Sequence, residues 1–135
     1  MVEQLIADLM DTWNAHDIAR MMTFYAPDYE GSDISQANPQ HGTDGVQEMF
    51  ARIMRGFPDI RFTLDQTVIQ GSEVVLVWTA HGTHQGYIMN IPPTGRRISV
   101  RGTSVLSLED GKIKKALYIW DVAGILRGIG LLPEL

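Results

Sequence analysis

A chain of 135 residues, 44% of them hydrophobic and 20% charged, has the size and composition of one globular domain and not of a disordered segment. Its net charge is −5 and its eleven lysines and arginines form no continuous basic stripe, which excludes nucleic acid as an expected partner. The absence of cysteine excludes disulfides and thiolate metal sites, no apolar run approaches the length of a membrane span, and the first residues are unlike a secretory signal. We therefore expect a single cytoplasmic domain over residues 1–135 that does not bind a membrane.

Two helices are predicted at the start of the chain. Apolar residues three and four positions apart indicate a first helix that ends near His16; its buried stripe is Leu5, Ile6, Leu9 and Trp13. Asp17 is suited to cap a second helix over residues 18–26, because its side-chain oxygen can accept a hydrogen bond from a free backbone N–H. Pro27 cannot continue the helix, so we expect the helix to end there.

A short strand and a third helix are predicted next. Residues 29–34 indicate the strand, and the polar residues 35–42 indicate a loop. Asp44 and Gln47 have the spacing of a capping box, which predicts the start of a helix. Gly56 and Pro58 mark its end, and its apolar face consists of Val46, Met49, Phe50, Ile53, Met54 and Phe57.

From residue 60 onward the pattern changes to the alternation of β-strands. Strands are predicted over residues 60–68, 73–84, 97–109 and 112–121, and the pairs Gly71-Ser72 and Asp110-Gly111 supply turns. Inside two of these strands, Gly82 and Gly102 are positions where the sheet could bend or bulge. Helices followed by antiparallel hairpins indicate an α+β fold, with the helices packed on one face of a curved sheet.

Four motifs in the second half carry a resemblance to a known family. They are GTHQG at residues 82–86, IPPTGRR at 91–97, LEDGKI at 108–113 and D-x-x-G-I-L-x-x-I-G at 121–130. With the WNAHD joint at residues 13–17, the chain resembles the SnoaL-like polyketide cyclase and ester cyclase family of the nuclear-transport-factor-2-like superfamily. The resemblance implies a cone in which a curved antiparallel sheet wraps about three N-terminal helices around an internal cavity. It also implies a homodimer.

The resemblance further implies an activity, the metal-free closure of a polyketide ring by intramolecular aldol addition in a small hydrophobic substrate. A methylene between two carbonyls is acidic enough for one positioned base to deprotonate it, so no nucleophile, metal or nucleotide is needed. The chain has no nucleophile elbow, phosphate-binding loop or dinucleotide fingerprint. We therefore expect an enzyme that uses no cofactor.

Asp121 is the predicted general acid/base, because the resemblance assigns catalysis to the matching aspartate. It follows Trp120 at the end of an apolar strand, and burial in the cavity would make its carboxylate a stronger base. The alternative is structural, since aspartate at a strand-to-helix junction is a good N-cap. The family pattern is incomplete nearby: Ala116-Leu117 replaces a histidine and an aromatic residue, and Gly128 replaces a glutamine.

The HGTH segment at residues 81–84 raises the question of a metal site. Residues three apart on a strand point to opposite faces, so His81 and His84 cannot bind one ion unless Gly82 introduces a bulge. We therefore expect no metal. His84 is predicted to line the cavity and to act in catalysis, with His41 as another candidate; a structural role is the alternative for each histidine.

The remaining site residues are predicted to contact the substrate. Methionine and aromatic side chains suit an apolar, ring-shaped ligand, although the same residues also suit a simple core. An arginine facing inward would bind a carbonyl or an anionic group, whereas mid-strand it also fits the solvated outer face. The predicted substrate-binding residues are Trp13, Met49, Trp78, Met89, Arg101 and Trp120.

Other functions are compatible with the same fold. An epoxide hydrolase would position water with two aspartates and an arginine, for which Asp33, Asp121 and Arg101 are the candidates. A ketosteroid-isomerase-like enzyme is another alternative, and a non-catalytic cone that binds a small ligand or serves as a dimer module is the alternative outside enzymes. The enzyme and the non-catalytic cone differ in whether Asp121 opens into the cavity together with another polar group.

Overall fold

The computed structural model describes residues 1–134, and within this range the chain forms four α-helices and six β-strands. The helices are α1 (Val2–Ala15), α2 (Ile18–Met22), α3 (Gly42–Gly56) and α4 (Val122–Gly128). The strands are β1 (Tyr25–Asp33), β2 (Gln40–His41), β3 (Arg61–Gln70), β4 (Glu73–Thr83), β5 (Arg97–Glu109) and β6 (Lys112–Trp120). None of these helices is long and apolar enough to cross a membrane.

The six strands form one curved sheet in the order β2-β1-β6-β5-β4-β3. Strands β3 to β6 are successive antiparallel neighbours, as predicted. Asp110 and Gly111 have positive φ angles of 52° and 74°, as a tight two-residue hairpin turn requires. The predicted α+β fold is therefore confirmed, with one difference: β1 pairs with β6 in parallel, so the sheet is not wholly antiparallel.

Gly82 and Gly102 do not introduce bulges. The β4–β5 pairing runs through both residues without a register shift, and the irregularities of the sheet lie in β3 and in the pairings of β6. Gly102 instead allows a close approach, because the indole ring of Trp78 lies across it and a Cβ there would be 2.3 Å from the ring. Any side chain at residue 102 would displace Trp78.

The core lies between the inner face of the sheet and the helices. Nearly every second residue of β4 and β5 is buried, as the alternation of a strand requires, and α1 and α3 turn their apolar sides toward these residues. Burying one large apolar side chain contributes about 1.5–3 kcal/mol. Prominent members of the core are Leu9, Trp13, Met49, Phe50, Leu76, Trp78, Val100 and Leu106.

The WNAHD segment, residues 13–17, connects the end of α1 to the edge of the sheet through hydrogen bonds. The Asn14 side chain accepts a hydrogen bond from the Phe62 N–H at 2.7 Å and donates to the Phe62 carbonyl at 3.0 Å. His16 ends α1 with a left-handed backbone (φ 56°), and its Nε2 lies 2.6 Å from the Ile60 carbonyl. The C-terminal end of α1 is therefore held against β3 by side chains that mimic a neighbouring strand.

Replacing Asn14 with alanine is expected to lower the free energy of unfolding by about 1–3 kcal/mol, because both backbone groups of Phe62 lose their partner in a partly buried position. Chemical denaturation followed by circular dichroism measures the change. Asn38→Ala, in an exposed loop, is the matched control and should unfold like the wild type. An equal effect of the two substitutions would contradict this role of Asn14.

Helix α2 is shorter than predicted and β1 is longer. Asp17 caps α2 as predicted, accepting a hydrogen bond from the Arg20 N–H at 3.1 Å, but a helix up to residue 26 is wrong. Tyr25 already belongs to β1, because its backbone pairs with β6 and its buried hydroxyl lies 2.7 Å from that of Tyr118. These long-range contacts outweigh the local helical pattern.

Helix α3 also begins differently from the prediction. Gln40 and His41 pair with β1 as strand β2, and the helix follows directly at Gly42. Asp44 lies in the first turn and not at the cap, so the predicted capping box is wrong. The apolar face of the helix packs inward as predicted, because its spacing does not depend on how the helix starts.

Candidate active site

A narrow cavity lies between the inner face of the sheet and the helices α1 and α3. About 620 Å³ in the cavity and at its opening is free of protein atoms. Within this space, the centre of a water molecule can occupy only about 60 Å³. This holds a few water molecules at most, or part of a flat ring. The lining is almost entirely apolar, and its polar exceptions include Asp33, Ser104 and Tyr118.

Asp33 supplies a carboxylate to this cavity. It ends β1 and is only 5% exposed. Its Oδ1 accepts hydrogen bonds from Trp120 Nε1 at 2.8 Å, from Ser35 Oγ at 2.5 Å and from the Ser35 N–H at 2.9 Å. All three bonds end on Oδ1, which leaves Oδ2 free of them. One oxygen thus fixes the carboxylate, and the other has no hydrogen bond within residues 1–134.

Three tyrosines form a buried group beside Asp33. Tyr118 is the partner of Asp33 in the parallel pairing of β1 with β6, and its hydroxyl lies 2.7 Å from that of Tyr25. Tyr29 donates to Gln40 at 2.8 Å. Burial raises the pKa of the Tyr118 hydroxyl well above its ordinary value, and Tyr25 and the charge of Asp33 raise it further. Tyr118 therefore stays protonated, so its hydroxyl is able to donate a hydrogen bond and is not a base.

The cavity opens into a polar depression, which we call the mouth. The mouth has about 900 Å³ of free space, including open solvent, and shares Asp33 and Trp120 with the cavity. Its polar side chains come from α3 and from the two loops that follow β1 and β4. They are Arg52 and Arg55 from the helix, with Gln36, Tyr87 and Asn90 from the loops.

Five of the six residues predicted to contact the substrate lie at the cavity or its mouth. Trp13, Met49, Trp78 and Trp120 line the cavity, and Met89 lies at the mouth. The N–H of Trp78 donates to Ser104 Oγ at 3.0 Å, whereas the buried N–H of Trp13 has no partner among residues 1–134. Contact of these side chains with a substrate stays a prediction.

The structure places Asp121 outside the cavity. It caps α4, with Oδ1 accepting from the Gly124 N–H at 2.8 Å and Oδ2 at 3.9 Å from Arg127 Nη2. Its side chain is 51% exposed, so the prediction that its carboxylate is buried in the cavity is wrong. The reason is the alternation of β6: Trp120 points inward, so the next side chain points away, toward the free N–H groups of α4.

Neither histidine of the HGTH segment lines the cavity. His81 is exposed on the outer face, while His84 follows the end of β4 and is fully buried against Phe57. Nδ1 of His84 accepts from the Thr94 N–H at 3.2 Å, which assigns the proton to Nε2. His84 also bonds through its backbone to both Gly95 and Arg96, so it holds the two ends of loop 84–96 together. The prediction that it lines the cavity is therefore wrong.

Two other predicted residues lie on the surface. Arg101 is on the outer face of β5, with its side chain 73% exposed and Nη2 3.8 Å from Asp65 Oδ2, so the prediction that it faces the substrate is wrong. Alternation explains this, because its neighbours Val100 and Gly102 occupy the inward positions. His41 is also exposed, and its Nδ1 lies 3.9 Å from Glu30 Oε1.

Sequence reasoning missed several residues of the site. It named Asp33 only for the epoxide hydrolase alternative and did not consider Tyr118, Ser104, Arg52 or Arg55. A usable signal was the shared parity of Tyr29 and Asp33 in β1, which would have placed the aspartate on the inner face. The pairing of Asp33 with Trp120 had no local signal.

Fold and site together define a class of protein: a small α+β cone whose apolar cavity holds one buried carboxylate and opens to a polar mouth. The model of the SnoaL-like polyketide cyclase family matches residues 3–129. The chain belongs to this family, whose name indicates a cyclase-type role.

Individual relatives agree with this assignment. The chain is 29% identical over 110 residues to nogalonic acid methyl ester cyclase of Streptomyces nogalater, covering 77% of this chain and 78% of that relative. AclR, a proposed hydroxylase from Streptomyces galilaeus, has a TM-score of 0.87 and 25% identity, over 98% of this chain and 83% of AclR. TsrD from Streptomyces laurentii has a TM-score of 0.86 and 27% identity, over 97% and 96% of the two chains. The chain is therefore similar to these proteins in both sequence and fold.

Proposed function

We propose that this protein closes a ring in a carbonyl-rich, polyketide-like small molecule by intramolecular aldol addition, with Asp33 as the general base and without a cofactor. The observation that carries the proposal is the Asp33 carboxylate, which is almost fully buried at the wall of an apolar cavity and whose Oδ2 has no hydrogen bond from the described residues 1–134. Relatives that include a cyclase of nogalonic acid methyl ester support the same class of reaction.

Each step of the reaction balances without another reactant. Asp33 Oδ2 takes a proton from a carbon between two carbonyls, and the electron pair of the C–H bond passes into an enolate. The enolate carbon bonds to the carbon of a third carbonyl group in the same molecule. The C=O π electron pair of that group moves to its oxygen, which becomes an alkoxide. The alkoxide takes the proton back from the Asp33 carboxylic acid, so the product is an isomer of the substrate.

Two hydrogen-bond donors suited to carbonyl oxygens line the same cavity as this carboxylate. Tyr118 is the cross-strand neighbour of Asp33 and stays protonated, so its hydroxyl can donate to the enolate oxygen. The unpaired N–H of Trp13 would gain a partner from a second carbonyl, and a buried donor without a partner costs about 1–3 kcal/mol. Both donors favour a ligand with several carbonyl groups.

The apolar lining contributes by orienting the substrate and excluding water. A positioned base supplies about 10²–10⁴-fold in rate, and holding the two reacting carbons in contact supplies more. A narrow cavity walled by Trp13, Trp78 and Phe62 admits only part of a flat ring and restricts that part to few orientations. Binding and orientation by this cavity are therefore part of the proposed catalysis.

The test uses a synthetic aromatic compound with a 1,3-dicarbonyl arm beside a ketone. Chromatography with mass detection should show a cyclised isomer of unchanged mass that forms faster with protein than without. In D₂O, the same reaction should exchange the methylene protons, which proton NMR detects. Cyclisation and exchange at the protein-free rates would contradict the proposal and favour a non-catalytic binding cone.

The adjacency of Asp33 and Tyr118 also supports a second candidate, the isomerisation of a β,γ-unsaturated ketone, in which the proton taken from the α carbon returns to the γ carbon and the double bond moves into conjugation. Protein-dependent migration of the double bond in such a ketone, followed by proton NMR, would favour it. The epoxide hydrolase alternative is wrong in its proposed residues, because Asp121 and Arg101 lie at the surface and do not converge with Asp33.

A further inference from the structure

The two arginines of the mouth come from one face of α3. Arg52 and Arg55 are three residues apart, a spacing that places side chains next to each other on a helix. Residues from the same helix, Met49 and Ile53, belong to both the cavity and the mouth. A ligand that fills the cavity and extends outward must therefore pass the two guanidinium groups.

The positive charge at the mouth is poorly compensated by the protein. Arg52 Nη1 lies 3.4 Å from Glu48 Oε1, but the two side chains are 39% and 73% exposed, so this ion pair is weak. Arg55 has no ion-pair partner among residues 1–134, and neither guanidinium reaches ion-pair distance of Asp33 in that range. In a chain with a net charge of −5, these two guanidinium groups make the α3 side of the mouth locally positive, although Asp33 lines the same depression.

We propose that the mouth binds a carboxylate of the substrate, so that the substrate class is a flat, carbonyl-rich carboxylic acid rather than a neutral ester. This assignment rests on the proposed function for the reaction itself. It further specifies that the carboxylate end of the substrate stays outside the cavity, at the mouth. A guanidinium binds a carboxylate through two parallel N–H bonds, which fixes orientation as well as charge. The carboxylate held by Arg52 and Arg55 would determine which substrate carbon lies against Asp33 Oδ2.

The test compares anthraquinone-2-carboxylic acid with its methyl ester as binding probes, by isothermal titration calorimetry at low salt. The acid should bind at least about tenfold more tightly than the ester, as a charge-assisted hydrogen bond requires. Arg55→Met should weaken binding of the acid by at least about tenfold and leave binding of the ester unchanged. Arg20→Met, an exposed arginine on α2, is the matched control and should affect neither probe.

Several outcomes would overturn the proposal: no binding of the acid, equal affinities of acid and ester, or equal weakening of the acid by Arg20→Met and Arg55→Met. Thermal unfolding followed by circular dichroism shows that each variant is folded before binding is compared. Because the readout is binding and not turnover, its failure is distinguishable from failure of the proposed reaction. Ring closure that depends on Asp33 could persist in a protein that binds acid and ester alike.

Discussion

Replacing Asp33 with asparagine is expected to lower the rate of ring closure by at least about 10²-fold, the lower end of what a positioned base supplies. Asparagine keeps the size of the side chain, and its Oδ1 can still accept the hydrogen bonds from Trp120 and Ser35. Only the ability to take a proton is lost. Single-turnover rates with enzyme in excess measure the chemical step, and thermal unfolding shows whether the fold is intact.

Asp121→Asn is the matched control for this experiment. Asparagine caps a helix about as well as aspartate, and the side chain is half exposed outside the cavity, so both activity and stability should remain close to those of the wild type. The reverse result, with Asp121→Asn inactive and Asp33→Asn active, would show that the base is the aspartate of the family motif. The cavity carboxylate would then have only a structural role.

Trp78→Ala is expected to lower the free energy of unfolding by about 3–5 kcal/mol, the range for deleting a large aromatic side chain from a core. The indole ring packs edge-on against Phe62, with 5.6 Å between the ring centroids, and it covers Gly102. Its N–H donates a hydrogen bond to Ser104 Oγ. Its removal leaves a hole that a glycine cannot fill. Urea denaturation followed by circular dichroism measures the loss.

Trp78→Phe separates packing from hydrogen bonding at the same position. Phenylalanine keeps the contact with Phe62 but not the N–H, so the expected loss is smaller, about 1–3 kcal/mol from the unpaired Ser104 hydroxyl. An apolar probe that fills the cavity should bind this variant more weakly than the wild type. A loss below about 1 kcal/mol for Trp78→Ala, or unchanged probe binding in folded Trp78→Phe, would place the ring outside the core and the cavity.

The strands were more predictable than the helix boundaries, for physical reasons. Alternating apolar residues and the Asp110-Gly111 turn are local signals, and β5 and β6 lie where these signals place them. The boundary between α2 and β1 depends instead on contacts of Tyr25 with β6, which lies almost 90 residues further along the chain. No window of neighbouring residues contains that information.

The site divides in the same way. Tryptophan and methionine residues at the cavity were predictable from their type, because large apolar side chains on an inner face must surround any space left there. The position of Asp121 was misjudged because a motif identifies a residue type but not the side of the strand on which it ends. The parity of Tyr29 and Asp33 indicates the inner face for the aspartate, whereas its bond from Trp120 depends on the pairing of β1 with β6 and has no local signal. Pairing of two copies of the chain stays a prediction.

The parallel pairing of β1 with β6 has a consequence for the biogenesis of the protein. Asp33 and Trp120 are separated by 87 residues, so the bond between them closes a very long loop and belongs to the slower events of folding. A ribosome adding 5–20 residues per second needs roughly 4 to 17 seconds to make that interval. During this time β1 has no neighbour on its β6 side, and its tyrosines and aspartate are exposed to water and to chaperones. The nascent chain therefore cannot complete the wall of the cavity around Asp33 until β6, the last strand of the sheet, has emerged.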